Sequence, residues 1–400
     1  MKYTPLSIDV NLRPEGFVVH LDSLFAALAT LTDRRDARGL RYALVTVLVY
    51  VLLAKLAGED HLRGIAQWVA LRQEGLASVL GLARPQAPHA TTYSRVLRKA
   101  VDIEDLEQVA RDFFAGQPET GESVLLNLDG KTLRGTIPAG KTKGVHLLAA
   151  FLPEEGWVLF QVEVSSKENE IPAAMRILRQ LDLRDKIVTG DALLAQRELS
   201  RHIVESGGDY IWKIKGNQSR TQEDIELLFA PEPCVPGFSP SHKDFQVACT
   251  REKGHGRLER RTLTVSSSLA GYLNWPYAAQ VFRIERRFLR IRDGKLMEET
   301  KFGVTSLTTT KADPERLLRL IRAHWGIENK LHYRRDETLR EDRCRITGQG
   351  ARAMAVIINL VLGLLRHQEH PYLPDARRHY AANLEEAAAL ILHSPAPACL

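Results

Sequence analysis

The order of apolar and polar positions divides the chain into regions of different period. Between residues 17 and 116 apolar side chains recur every three or four positions, the spacing that lines one face of an α-helix. Five segments carry it: "FVVHLDSLFAALATL", "ARGLRYALVTVLVYVLLAKLAG", "HLRGIAQWVALRQEGLASVLGL", "ATTYSRVLRKAV" and "DIEDLEQVARDFFAG". From Gly121 the period drops to two. "SVLLNLD", "GVHLLAAFL" and "GWVLFQVEVSS", separated by "PAGKTKG" and "PEEG", have the pattern of three strands in an antiparallel meander. A helix ("NEIPAAMRILRQLD"), a strand ("KIVTGDA"), a helix ("QRELSRHIVESG") and a strand ("DYIWKIKG") follow, so the order reads βββαβαβ. A helix ("TQEDIELLF"), a Pro-rich stretch ("APEPCVPGFSPS") and four long alternating runs then intervene before helices resume at Asp313.

Three antiparallel strands running into parallel αβ units describe an RNase H-like arrangement, so the expected class is α/β. The expected organisation is a helical N-terminal domain over 1–118, expected to bind DNA, the first part of an RNase H-like core over 119–218 and a β-rich insertion over 219–310. Helices completing the core over 311–370 and a tail with one short helix over 371–400 follow.

Composition changes this picture little. A chain of 400 residues is long for one core. Its 44% hydrophobic and 26% charged residues are ordinary for a folded protein. The +6 net charge permits a polyanionic partner without demanding one. Basic residues gather at two turns of the helical region, "DRRDARGLR" and "YSRVLRK", where helices could meet phosphates or simply face solvent. Cys234, Cys249, Cys344 and Cys399 lie far apart, which indicates neither a zinc knuckle nor a disulfide framework and fits a reducing cytoplasm. The first residues lack the apolar core of a secretory signal. The run Tyr42–Ala54 would span roughly 20 Å as a helix, short of a bilayer, so no membrane is expected.

Three acids stand out. Side chains alternate across a strand, so Leu125, Asn127 and Asp129 share a face and Asp129 ends the first strand of the core. The same rule groups Ile187, Thr189 and Asp191 at the tip of the fourth. Asp313 and Pro314 suit the N-cap and first turn of a helix. Leu317, Ile321, His324, Glu328, Leu331 and Arg335 then fall on one stripe, which makes Glu328 core-facing and in need of a partner, a proton or a cation. Converging carboxylates repel one another, and hard divalent cations relieve this through oxygen ligands. Two Mg²⁺ ions about 4 Å apart, with Mn²⁺ able to substitute, suit in-line phosphoryl displacement.

At these residues the chain resembles the H-repeat-associated transposases of bacterial insertion sequences, within the DDE superfamily. The resemblance is carried by "DARGLRYALVTVLVYVLLAKLAGED", "LDGKTLRG", "VTGDALLAQRE", "DYIWKIKGNQ", "GHGRLERR" and "HWGIENKLHYRRDETLREDRCR". It implies an RNase H-like catalytic domain with a β-rich insertion, and an enzyme that cuts element ends and joins them to target DNA. Matched residue by residue, Asp129, Asp191 and Glu328 are the catalytic, metal-binding triad. The chain departs from a related signature in having Ile321 and His324 where a Tyr and an Arg precede the Glu, and Arg335 where a Lys follows it. Tyr333 stands where many relatives have tryptophan.

The supporting candidates are DNA contacts. Lys131 and Arg134 leave the first strand beside Asp129, Lys215, Asn217 and Gln218 follow a later strand at the same edge, and Arg257 and Arg261 alternate onto one strand face. His324 and Arg335 flank Glu328. Each has a plain structural competitor: a turn salt bridge, a polar turn, a solvated strand face or helix packing. The expected partner is double-stranded DNA, both terminal inverted repeats and target, and cutting two ends implies a homodimer. The alternatives are a nuclease of the same fold without strand transfer and a domesticated, non-catalytic DNA-binding protein.

Overall fold

The structure, a computed structural model, describes residues 23–115, 124–154, 156–165, 167–231, 243–254, 256–367 and 372–393. The start of the first expected helix (17–22), most of the Pro-rich stretch (232–241) and the end of the tail (394–400) lie outside them.

The helical region contains α1 (Leu24–Ala29), α2 (Leu44–Leu56), α3 (Leu62–Leu71), α4 (Gln73–Val79), α5 (Ala90–Arg95) and α6 (Ile103–Ala115). α2 is apolar on every side and buried along its whole length, Thr46 and Lys55 included, as expected of a helix at the centre of a core. α6 is amphipathic instead, with Leu106, Ala110 and Phe113 buried. Asp102 opens it by accepting from the backbone N–H of Glu104 (2.9 Å).

Next come β1 (Val124–Thr132), β2 (His146–Leu152), β3 (Trp157–Glu163), α7 (Glu170–Leu178), β4 (Lys186–Gly190), α8 (Arg197–Glu205), β5 (Asp209–Ile214) and α9 (Ser219–Phe229). The remaining elements are β6 (Gln246–Gly254), β7 (Arg257–Ser266), β8 (Gln280–Arg290), β9 (Leu296–Thr305), α10 (Pro314–His324), α11 (Gln349–His367), α12 (Leu373–Ala382) and α13 (Leu384–Leu392). The protein is thus mixed α/β with a large sheet.

The chain forms two compact units that interleave along the sequence. The first comprises residues 1–119, 130–164 and 328–400, and the second 120–129 and 165–327. In the second unit β1 pairs in parallel with β4, and β4 with β5. The long alternating runs do not form a separate sheet. β9 pairs antiparallel with β5, and β8, β7 and β6 follow by antiparallel pairing, so the strand order is β1-β4-β5-β9-β8-β7-β6. α10 packs on this sheet. Its Leu317, Leu318 and Ile321 join Leu125, Ile187, Ile211, Leu263, Phe282 and Ile284 in one buried cluster.

In the first unit β2 and β3 form an antiparallel hairpin, irregular at Ala150/Phe151. α6 and α11 pack against β3, and α11 also packs against α2. One stretch among the described residues, Gln349–Arg366 in α11, is long and apolar enough to cross a membrane, and 83% of it is buried inside the protein.

Candidate active site

In the second unit Asn127 of β1 lies opposite Thr189 of β4 in parallel register. Asp129 and Asp191 each follow two residues later and so fall on the same face; Asp191 lies just past the end of β4, whereas Asp129 does not end its strand as its sequence pattern suggests, because β1 runs on to Thr132 beyond the last residue paired with β4. Asp129 is half-buried. Asp191 sits in a turn where its Oδ1 accepts from the backbone N–H groups of Leu193 (2.9 Å) and Leu194 (3.3 Å). Asp191 as a whole residue is exposed, yet partial desolvation of its carboxyl first, and the charges of Glu170 and Asp129 further, hold it above the usual range, against the opposing pull of the two N–H donors. Glu170 is the first residue of α7, whose cap Asn169 accepts from Ile171 N–H (3.0 Å).

Beneath the two aspartates a buried hydrogen-bond network joins β1, β4 and the end of α10. Thr189 Oγ1 donates to Asn127 Oδ1 (2.7 Å) and lies 2.9 Å from His324 Nδ1. The hydroxyl has one proton, already given to Asn127, so His324 Nδ1–H is the donor in the second contact and the ring's acceptor is Nε2. Asn127 Nδ2 donates to the carbonyls of Ala323 and His324, both at 3.2 Å. Burial, and then the nearby Lys213 ammonium, lower the His324 pKa to about 4, which Asp129 partly offsets. The ring is neutral at physiological pH. Lys213 is lowered to about 8 by burial and by Lys301 and Lys215, while Asp191 acts in the other direction.

Trp325, directly after α10, carries a second electrostatic cluster. Lys213 Nζ, Arg286, Lys301 Nζ and Arg261 lie 5.0, 5.3, 5.4 and 5.7 Å from its ring centre, from β5, β8, β9 and β7. Arg261 is buried and pairs with Glu252 (3.1 Å) and Glu259 (2.7 Å), and Arg286 shares Glu259. Those guanidinium groups are committed within the protein, which leaves Arg261 poorly placed for the DNA contact expected of it. Arg257, half-buried, lies over the Phe288 ring at 5.8 Å. Lys215 is exposed. Asn217 and Gln218 donate to the carbonyls of Ala192 (2.8 Å) and Ala195 (3.1 Å), tying the residues after β5 to the loop after Asp191.

The other candidates belong to the first unit. Lys131 is buried and paired with Asp336 (2.6 Å), the salt-bridge alternative to a DNA contact. Arg134 is exposed, and its backbone N–H donates to Asp342 (2.9 Å). Glu328 is exposed, contrary to the core-facing position expected of it. α10 stops at His324 and the chain continues through π turns over Glu328–His332 and Arg334–Thr338, yet Leu331 and Arg335 further along the stripe stay buried and Glu328 alone turns outward. Arg335, expected on DNA, is instead 1% exposed and doubly bonded to Glu341 (2.9 and 2.6 Å). Tyr333 is exposed.

Sequence reasoning grouped Asn127 and Thr189 with the two acids but gave them no role, and it missed Glu170 and Lys213. Thr189 was discoverable because it lies on the face of Asp191. Glu170 reads as an ordinary first-turn acid, and nothing in the sequence distinguishes it. Asp129 and Asp191 offer oxygen donors only, a set suited to a hard divalent cation. Among the described residues no group of three His, Cys, Asp or Glu side chains is gathered closely enough to hold a metal ion.

Residues 120–364 match the family described as Transposase DDE domain, and residues 25–114 match the DDE_Tnp_1-associated family. The chain is 29% identical over 351 residues to YncI of Escherichia coli O157:H7, which carries a transposase name, covering 86% of this chain and 88% of that one. It is 25% identical over 359 residues to the H repeat-associated protein YhhI of Escherichia coli strain K12, also named for transposase, covering 88% and 92%. A solved structure of the piggyBac transposase synaptic complex with hairpin DNA aligns with 90% of this chain and 82% of that one, at 9% identity and a TM-score of 0.37, too weak a likeness to specify the fold.

Proposed function

The chain belongs to the Transposase DDE domain family, enzymes that act on DNA, and from that membership we propose that it cleaves insertion-sequence ends and transfers the freed 3′ ends into target DNA. Water is the nucleophile in the first step and the 3′-OH in the second. Asp129, Asp191 and Glu328 serve as the catalytic carboxylates. The observation that carries the proposal is the position of Asp129 and Asp191 two residues beyond the paired Asn127 and Thr189 on adjacent parallel strands, near enough for the charge of Asp129 to act on Asp191. The core is read as RNase H-like, because β1, β4 and β5 are parallel neighbours and the β2-β3 hairpin supplies the preceding meander.

The carboxylates would hold two Mg²⁺ ions, or Mn²⁺. Bound there, the cations supply Lewis-acid stabilisation of charge at the reacting phosphate. The protein's own groups prepare the site. The Leu193 and Leu194 amides fix one Asp191 oxygen, and the negative charges of Glu170 and Asp129 near that carboxyl favour cation capture. His324 contributes no charge, and its committed Nδ1 leaves it a support rather than a proton donor to substrate. The expected setting is the cytoplasm, with a homodimer holding two DNA ends. Of the basic candidates, the exposed Lys215 and Arg134 and the half-buried Arg257 remain suited to phosphate contacts.

The test is a cleavage and joining assay with terminal-repeat oligonucleotides and Mg²⁺. Wild type is expected to give joined products, and Asp129→Ala and Asp191→Ala to lose cleavage while still binding DNA. Cleavage without joining would point to a nuclease. Undiminished function in Asp129→Ala would point to a non-catalytic DNA-binding role.

A further inference from the structure

Three arginines and a histidine converge on one groove of the first unit. Arg35, Arg41, Arg95 and His89 line it together with Tyr42 and Thr92, around a space of about 370 Å³. The nearby acid is spent. Arg35 Nε and Nη2 donate to both oxygens of Asp33 (2.9, 3.1 and 2.6 Å), and Nη2 donates as well to the Tyr42 carbonyl (2.8 Å). Arg35 is therefore a fixed strut that closes the turn before α2.

Arg41 and Arg95 are exposed and have no carboxylate partner among the described residues. Arg41 lies over the Tyr42 ring at 5.5 Å. His89 Nδ1 accepts from Thr91 N–H (3.3 Å) and meets the Thr91 hydroxyl at 2.9 Å. With Nδ1 accepting, the proton of the neutral ring is on Nε2, which makes it another donor. The Thr92 hydroxyl adds one more. Like charges facing a shared space repel unless an anion joins them, and guanidinium groups match phosphate oxygens in a two-pronged geometry.

We infer that this groove binds the phosphodiester backbone of duplex DNA as a sequence-independent anchor, carried by a different unit from Asp129 and Asp191. The inference rests on the proposed function for its choice of anion: DNA rather than free phosphate. Backbone contact is the mode inferred because guanidinium and hydroxyl donors around one shared space match phosphate oxygens, where most protein–DNA hydrogen bonds fall; arginine also reads guanine edges, and the two unrelated duplexes below separate the two modes.

The experiment uses the full chain and Arg41→Ala/Arg95→Ala. Both side chains are exposed and outside the proposed catalytic machinery, and a matching thermal melt verifies the fold. Anisotropy titrations with two labelled duplexes of unrelated sequence are run between about 50 and 200 mM salt. The variant is expected to lose affinity equally for both duplexes, with the slope of log affinity against log salt shallower by about two, since each phosphate contact contributes about 0.9. Unchanged affinity and slope would overturn the inference, as would a loss confined to one duplex or a wild type that binds neither. Calorimetry with inorganic phosphate separates the anion sources: phosphate binding to wild type with unaltered DNA affinity in the variant assigns the groove to a free anion and overturns it. Failure of the functional reading looks different, because wild type would then bind DNA with the expected salt slope yet produce no Mg²⁺-dependent cleavage.

Discussion

Thr189 donates its hydroxyl proton to Asn127 across 2.7 Å, a side-chain bond that reinforces the parallel pairing of β1 and β4 two residues before Asp129 and Asp191. The same oxygen accepts from His324 at 2.9 Å. Replacing Thr189 by Val keeps the shape and strands two buried groups, Asn127 Oδ1 and His324 Nδ1–H. Each stranded group costs about 1 to 3 kcal/mol. Urea unfolding of Thr189→Val is therefore expected to report a loss of that order, with Thr189→Ser recovering most of it. A Val variant within about 0.5 kcal/mol of wild type, the range of an ordinary surface change, would remove the network from the account of stability.

The same network gives a pH dependence. His324 is pushed down from 6.5 to about 4 in the folded state, by burial first and Lys213 second, with Asp129 opposing. Protonation therefore favours the unfolded chain. The contribution is fully present above pH 6.5 and is lost as pH falls toward 4, by about 3 kcal/mol in all. His324→Gln can still hydrogen-bond Thr189 but does not titrate. Between pH 7 and 4 wild type is expected to lose more stability than His324→Gln by up to that amount; parallel stability curves for the two proteins would contradict it.

Much of this arrangement is legible in the amino-acid sequence itself. Alternation alone places Asn127 beneath Asp129 and Thr189 beneath Asp191, and Asp313 with Pro314 marks the start of α10, where the Asp313 side chain accepts from Arg316 N–H at 2.7 Å. What alternation cannot give is which strands are neighbours, since β1 meets β4 only through long-range pairing. Helical spacing fails at one residue. The stripe through Leu317, Ile321 and His324 continues to the buried Leu331 and Arg335 although α10 gives way to π turns, and only Glu328, whose bare charge is costly to bury, turns to solvent. A residue such as Arg41 is hardest of all to read, because a solvated helix end and a phosphate groove place the same cation at the same position in sequence.

Arg335 provides the sharpest separation of structural from DNA-binding roles. Helical spacing puts it two turns beyond Glu328 as a cation for DNA, yet its guanidinium is 1% exposed and doubly hydrogen-bonded to Glu341, itself buried. Arg335→Ala would leave a buried carboxylate without its partner, at a cost of about 3 to 5 kcal/mol. Removing both charges should do far less harm, since a well-packed apolar pair of similar volume often matches or exceeds a buried ion pair. Denaturant unfolding is accordingly expected to find Arg335→Ala strongly destabilised and Arg335→Met/Glu341→Leu close to wild type, with DNA affinity preserved in the double variant. If Arg335→Ala instead unfolded like wild type and bound DNA weakly, the arginine would be reaching DNA and its pairing with Glu341 would be incidental.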